Sequence, residues 1–161
     1  MNGWNTPEGY LVGRDVTETV MTMDEFDELS APPVVFPGLL GPESAYRTAY
    51  DLLARRFPVE ALDLIEPALA EEPANAGLRT LRAWAYLLRA QLTRAEDDLR
   101  WLVDNDPSDV WARHALGRAL ERQSRYEDAL PHLRLAAVMS DDYDHHAAVF
   151  RVERLIASRG D

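Results

Sequence analysis

An all-α, repeat-built fold closed by a terminal helix is what this sequence predicts, and three observations predict it. Residues 42–143 divide into three blocks of 34 residues whose small and apolar positions fall in phase. Five of the ten prolines and five of the eight glycines lie in residues 1–42, so Leu/Ala/Arg-rich text with helical spacing begins where the punctuation stops. The composition, 47% hydrophobic and 28% charged with no cysteine, suits one globular domain without a disulfide framework.

Residues 1–41 form an acidic, Pro/Gly-containing extension with seven acids against the single Arg14. Within it, Thr22-Met23-Asp24-Glu25 is a capping-box pattern ahead of Phe26 and Leu29, which predicts a short acidic helix. The following Ala31-Pro32-Pro33-Val34-Val35-Phe36-Pro37 cannot be helical, because proline removes backbone donors and pushes the preceding residue to extended geometry. The blocks are 42–75, 76–109 and 110–143. Small residues recur at Ala49, Ala83 and Gly117 and at Ala61, Ala95 and Ala129, where close helix packing leaves little room. Larger apolar residues share registers at Leu52, Tyr86 and Leu120, and at Ile65, Leu99 and Leu133. Pro58 suits a first helical turn, Pro131 falls early in its helix, and Pro67 lies late in its own, where it would kink the helix or cost up to ~3 kcal/mol. Residues 144–159 read as a terminal helix that covers the last repeat with Val149, Val152, Leu155 and Ile156.

Charge and residue usage exclude several activities. All 17 basic residues are arginine against 28 acids, for a net charge of −11, so a P-loop lysine, a lysine Schiff base, a thiolate nucleophile and Cys-ligated zinc are all ruled out. The acidic balance argues against nucleic acid, and no stretch is long and apolar enough for a membrane helix. Without a leader pattern the expected location is the cytoplasm, and all-Arg basicity with abundant alanine points to a GC-rich bacterial genome. Asp141, Asp142, Asp144, His145 and His146 form the one dense set of potential metal ligands, but acids ahead of a helix are the usual N-terminal preference. We therefore expect no metal, no cofactor and no catalytic residue, with a metal-dependent protein as the rival reading. Glu71-Glu72 and Asp97-Asp98 read as solvated acids on turns or outer faces.

The motifs Leu116-Gly117-x-x-Leu120 with Ala129-x-x-x-Leu133, and Ala83-x-x-Tyr86 with Ala95-x-x-x-Leu99 and Pro107, resemble the tetratricopeptide repeat (TPR) family over residues 42–143. The departures are Ala45, Arg79 and Arg113 at the fourth position and Thr48 and Arg82 at the seventh. The resemblance implies a short right-handed superhelix of antiparallel helix pairs whose first helices line a concave peptide-binding groove. It assigns to that groove Tyr46, Arg47, Tyr50 and Leu53; Thr80, Leu81, Trp84 and Leu87; and Trp111, His114, Arg118, Glu121 and Arg122. Where relatives clamp a terminal carboxylate with Lys and Asn, this chain has Tyr46, Tyr50, Leu81, Trp111 and Ala115, so that clamp is not expected. The implied function is non-catalytic protein or peptide binding, as an adaptor, scaffold or chaperone-like module, and the layout is similar to small bacterial secretion chaperones of this repeat class.

A ligand with complementary chemistry lies in the chain itself. Acidic residues around Phe26 and Leu29, followed by the apolar Val34, Val35 and Phe36, would meet an aromatic and Arg-lined groove at an effective concentration of about millimolar. We expect residues 20–40 to pack on the repeats and to fill or gate the groove. Trp101 shares a repeat position with Pro67 and Leu135, an outer row that would serve self-association as a homodimer or dock the extension.

Overall fold

A computed structural model of the chain describes residues 29–33 and 43–160. Seven helices follow one another among the described residues: α1 (Glu43–Ala54), α2 (Pro58–Glu71), α3 (Ala76–Leu88), α4 (Leu92–Asn105), α5 (Val110–Arg122), α6 (Tyr126–Val138) and α7 (Tyr143–Ala157). The pairs α1/α2, α3/α4 and α5/α6 are the three hairpins, each second helix packs on the next first helix, and α7 packs on α6 and α5. The short helix expected around Thr22–Glu25 lies outside the described residues, whereas residues 30–33 are non-helical.

Local chemistry explains where the helices begin. Asn75 and Asp109 cap α3 and α5, each accepting a hydrogen bond from the backbone N–H three residues on, at 3.0 and 2.9 Å. Both also sit beside an arginine at the fourth repeat position. Arg79 Nε donates to the Pro73 carbonyl at 2.8 Å and Arg113 Nε to the Pro107 carbonyl at 2.7 Å. The residues that depart from the family pattern thus tie down the turn before their own helix. In α7 the cap moves: Asp142 accepts from the N–H of Asp144 at 2.9 Å.

Within each hairpin one residue turns the chain through left-handed backbone, Arg56 at φ 66°, Ala90 at 54° and Ser124 at 60°. The following N–H of Phe57, Gln91 and Arg125 reaches back to the carbonyls of Leu52, Tyr86 and Leu120 at 2.8, 2.9 and 3.0 Å, closing the same C-terminal cap three times. This turn lets α2, α4 and α6 start without a side-chain cap. α2 continues as one helix through Pro67, whose ring lies on the exposed face.

The small residues sit where the helices touch. Ala49, Ala83, Ala61, Ala95 and Ala129 are all fully buried, and a Cβ built on Gly117 would stand 2.6 Å from Leu133 Cγ. One expectation is corrected. Asp97 is exposed, but Asp98, read as solvated, is 1% exposed and accepts from Arg79 Nη1 at 2.9 Å and from Arg82 Nε and Nη2 at 2.7 and 2.8 Å. Two arginines of α3 compensate its desolvation, which is what a buried carboxylate requires. Glu96, also buried, joins α4 to the α5–α6 turn through Arg125 and Gln123.

Candidate peptide-binding face

The first helices α1, α3 and α5 bring the predicted groove residues into one row, at different depths. Tyr46, Leu53, Leu81 and Leu87 are buried by 98% or more and pack in the core between helices. Nearer the surface, Tyr50 is half-buried and tilts against Trp84 with ring centroids 5.6 Å apart. Thr80 donates to the Ala76 carbonyl of its own helix, and Arg47 stands exposed.

Residues 29–33 cross this row. Leu29 packs against the core, and Pro32 is buried. Two aromatic side chains hold the segment by its main chain: Trp111 Nε1–H donates to the Ser30 carbonyl at 2.9 Å, and Tyr50 Oη–H donates to the Pro32 carbonyl at 3.3 Å. Indole and phenol combine an apolar body with one polar tip, so they can lie against an apolar residue such as the buried Pro32 while satisfying main-chain carbonyls. With Trp111 in repeat three and Tyr50 in repeat one, the segment runs from the third repeat toward the first. Phe26, Val34, Val35 and Phe36, the other residues expected in this role, lie outside the described residues.

The third-repeat end of the row is shared with α7. His114 stacks on His145 with ring centroids 4.2 Å apart. Burial, then the neighbouring charges of His145 and Arg118, push the His114 pKa down to about 3, so its ring is neutral near neutrality. Glu121 is buried and accepts from Arg151 Nη2 at 3.0 Å, with Arg118 Nε at 3.5 Å. Sequence reasoning did not assign His145 or Arg151 to this face, yet a signal existed. Continuing the 34-residue phase places His145, Ala148 and Val152 in the rows of Trp111, His114 and Arg118. Behind Arg118 and Arg122 a cavity of about 760 Å³ opens between the C-terminal halves of α5 and α7.

The remaining candidates lie elsewhere. Trp101 is half-buried against the core beneath the Arg79 guanidinium, 4.4 Å above its ring, while Pro67 and Leu135 in the same row are exposed. Of the Asp/His set, Asp142 caps α7, His145 stacks inward and His146 is exposed. Among the described residues no three His, Cys, Asp or Glu side chains group to hold a metal ion, and no helix is long and apolar enough to cross a membrane.

No family model matches the chain, and no curated protein matches it in sequence. Solved structures do match. The TPR domain of Arabidopsis OM64 is similar at 24% identity over 70% of this chain and 94% of that one, with a TM-score of 0.66. The first TPR of Spaghetti (RPAP3), bound to the HSP90 peptide SRMEEVD, gives 18% identity over 77% and 99% with a TM-score of 0.69. The Sgt2 TPR domain from Aspergillus fumigatus gives 21% over 80% and 87%, also at 0.69.

Proposed function

The chain carries the tetratricopeptide-repeat fold, and on that premise we propose that it is a non-catalytic peptide-binding module of the cytoplasm whose concave face is held at rest by its own residues 29–33. One observation carries the reading: side chains from two repeats hydrogen-bond the main-chain carbonyls of Ser30 and Pro32, as a groove would hold an extended peptide. A proline-containing strip suits such a site because its extended geometry is largely preset and little entropy is lost on docking. The HSP90-peptide complex of Spaghetti supports peptide binding by this fold. It does not transfer the ligand, since Tyr46 and Leu81 stand buried at two clamp positions of this chain. A partner would present a short apolar, proline-bearing stretch and would displace the internal segment as it binds.

The test uses the full chain with Leu29→Asp and Pro32→Asp, which weaken the seat without touching the repeats. A labelled synthetic peptide with the sequence of residues 24–36 should bind this variant and be excluded from the natural chain. Failure of the opened variant to bind, with its helicity intact, would sink the reading.

A further inference from the structure

Helix α7 ends the array with one face unclaimed. Its buried residues His145, Ala148 and Val152 lie on the side packed against α5 and α6, and the opposite side carries Tyr143, Ala147, Phe150 and Arg154. Tyr143 is 80% and Phe150 66% exposed, and Val138 and Met139, just ahead of α7 in the chain, are exposed as well. Large apolar side chains left uncovered on one helix face mark a docking surface. A fourth hairpin is not what this face awaits. The 34-residue phase puts Arg151 at the small position of Ala49, Ala83 and Gly117, and Arg154 at the apolar position of Leu120. A further second helix would meet two guanidiniums where close packing is needed.

The spacing of the stripe says what does fit. Its steps are 4, 3 and 4 residues, the alternation of a two-helix seam, and they read the same in both directions. A second α7 laid antiparallel across the first therefore sets Ala147 opposite the partner's Phe150, small against large, and Phe150 opposite the partner's Ala147. That is the self-complementary pattern a two-fold dimer requires. Charge agrees with it. Asp144 and Arg154 are exposed, and neither has an oppositely charged partner among the described residues. They stand ten residues and about 15 Å apart along the helix, too far to pair within one chain. Across an antiparallel seam they come nearly level, giving two Asp144–Arg154 pairs, whereas a parallel copy would set like charges together. We propose that α7 is a homodimerisation helix, pairing antiparallel with α7 of a second copy through Tyr143, Ala147, Phe150 and Arg154. Three turns of helix bury less than a standard interface, so pairing depends on concentration, with a dissociation constant of about 10–100 µM. It is independent of residues 29–33, because the seam lies on the side of α7 away from His114.

Sedimentation equilibrium of the full chain, from about 3 to about 300 µM, reads the mass directly. The natural chain should pass from monomer to dimer across that range. Phe150→Asp changes an exposed side chain, so helicity by circular dichroism should be kept while the protein stays monomeric throughout. Asp144→Arg and Arg154→Asp should each weaken pairing at least about tenfold, because each sets two like-charge contacts in the seam. The double swap D144R/R154D restores both pairs and should return the dissociation constant to within about threefold of the natural value. A natural chain that remains monomeric at about 300 µM overturns the proposal, as does a dimer indifferent to Phe150→Asp. A dimer lost on Phe150→Asp but unchanged by either charge reversal, or not restored by the double swap, overturns the antiparallel pairing.

Discussion

Replacing Gly117 with alanine adds one methyl group at a tight contact between α5 and α6, and two effects of opposite sign decide the outcome. Alanine is the better helix former by about 0.8–1 kcal/mol in a helix interior, and Gly117 lies in the middle of α5. Against this, the new Cβ would stand 2.6 Å from both Cγ and Cδ2 of Leu133 and 3.3 Å from its backbone nitrogen. Carbon atoms prefer about 3.5–4.0 Å, so the methyl is roughly 1 Å too close. Leu133 is fully buried, and its branch point rather than its tip is struck. Overpacking of this kind costs about 1–3 kcal/mol, and with the buried branch point struck the upper part of that range, about 2–3 kcal/mol, applies, which leaves a net loss of about 1–2 kcal/mol. Gly77 provides the comparison. Its added Cβ would meet the edge of the Tyr46 ring at 3.1 Å, a contact that a shift of a few tenths of an ångström relieves, and Asn75 Oδ1 at an ordinary 3.4 Å. Gly77→Ala should therefore fall within about 0.5 kcal/mol of the natural protein. Urea unfolding followed by circular dichroism measures both, provided the slope is unchanged. In a double-mutant cycle, Leu133→Ala should cost less in the Gly117→Ala background than in the natural chain. A Gly117→Ala protein as stable as the natural one, or a cycle with no coupling, would refute the argument that the α5–α6 contact selects glycine.

Four further outcomes are expected. Asp98→Ala removes the acceptor shared by Arg79 and Arg82 and should destabilise by about 3 kcal/mol, the low end for breaking a buried pair because both guanidiniums keep some solvent contact; chemical unfolding measures it. Arg134→Ala breaks an exposed pair with Glu153 and should change stability by less than about 1 kcal/mol in the same assay. Trp111→Phe keeps an aromatic ring, smaller than the indole, but loses the donor to Ser30, costing at least about 1 kcal/mol and speeding amide exchange at residues 29–31 about fivefold or more. For His114, whose pKa of about 3 lies below the 6.5 of a free side chain, the unfolded chain takes up the proton first as pH falls. The group is silent above pH 6.5 and lowers stability by up to about 1.4 kcal/mol per pH unit below it. His114→Phe should flatten that slope between about pH 6 and 5, where carboxylates contribute little, as read by unfolding at each pH.

The repeat was legible because close packing writes itself into residue size: Ala49, Ala61, Ala83, Ala95, Gly117 and Ala129 can hardly be anything larger. Pairing chemistry was less legible. Asp97 and Asp98 are adjacent acids of equal appearance, yet only Asp98 faces Arg79 and Arg82, and that distinction needs the angle between α3 and α4. Groove depth was also hidden. Tyr46 and Tyr50 lie one helical turn apart on the same face, but the neighbouring helix α3 closes over Tyr46 and leaves Tyr50 free to meet Pro32. His114 was assigned to the face from the sequence, but its partners His145 and Arg151 were not, since α7 contributes them from beyond the last counted repeat.

The left-handed turns at Arg56, Ala90 and Ser124 are separated by 34 residues each, since 90 − 56 and 124 − 90 give the same interval. None of the three is glycine, so letter by letter the hairpin bend is invisible, and a torsion angle repeats where no side chain does. That makes these positions natural splice points. Chain cut at one of them and joined at another meets the same backbone direction and the same capping bonds on both sides, so the middle hairpin can be copied or removed as a cassette. A lengthened array of this kind would move Tyr50 away from Trp111 by one repeat while residues 29–33 keep their length, turning the number of hairpins into a dial for how firmly the segment is held.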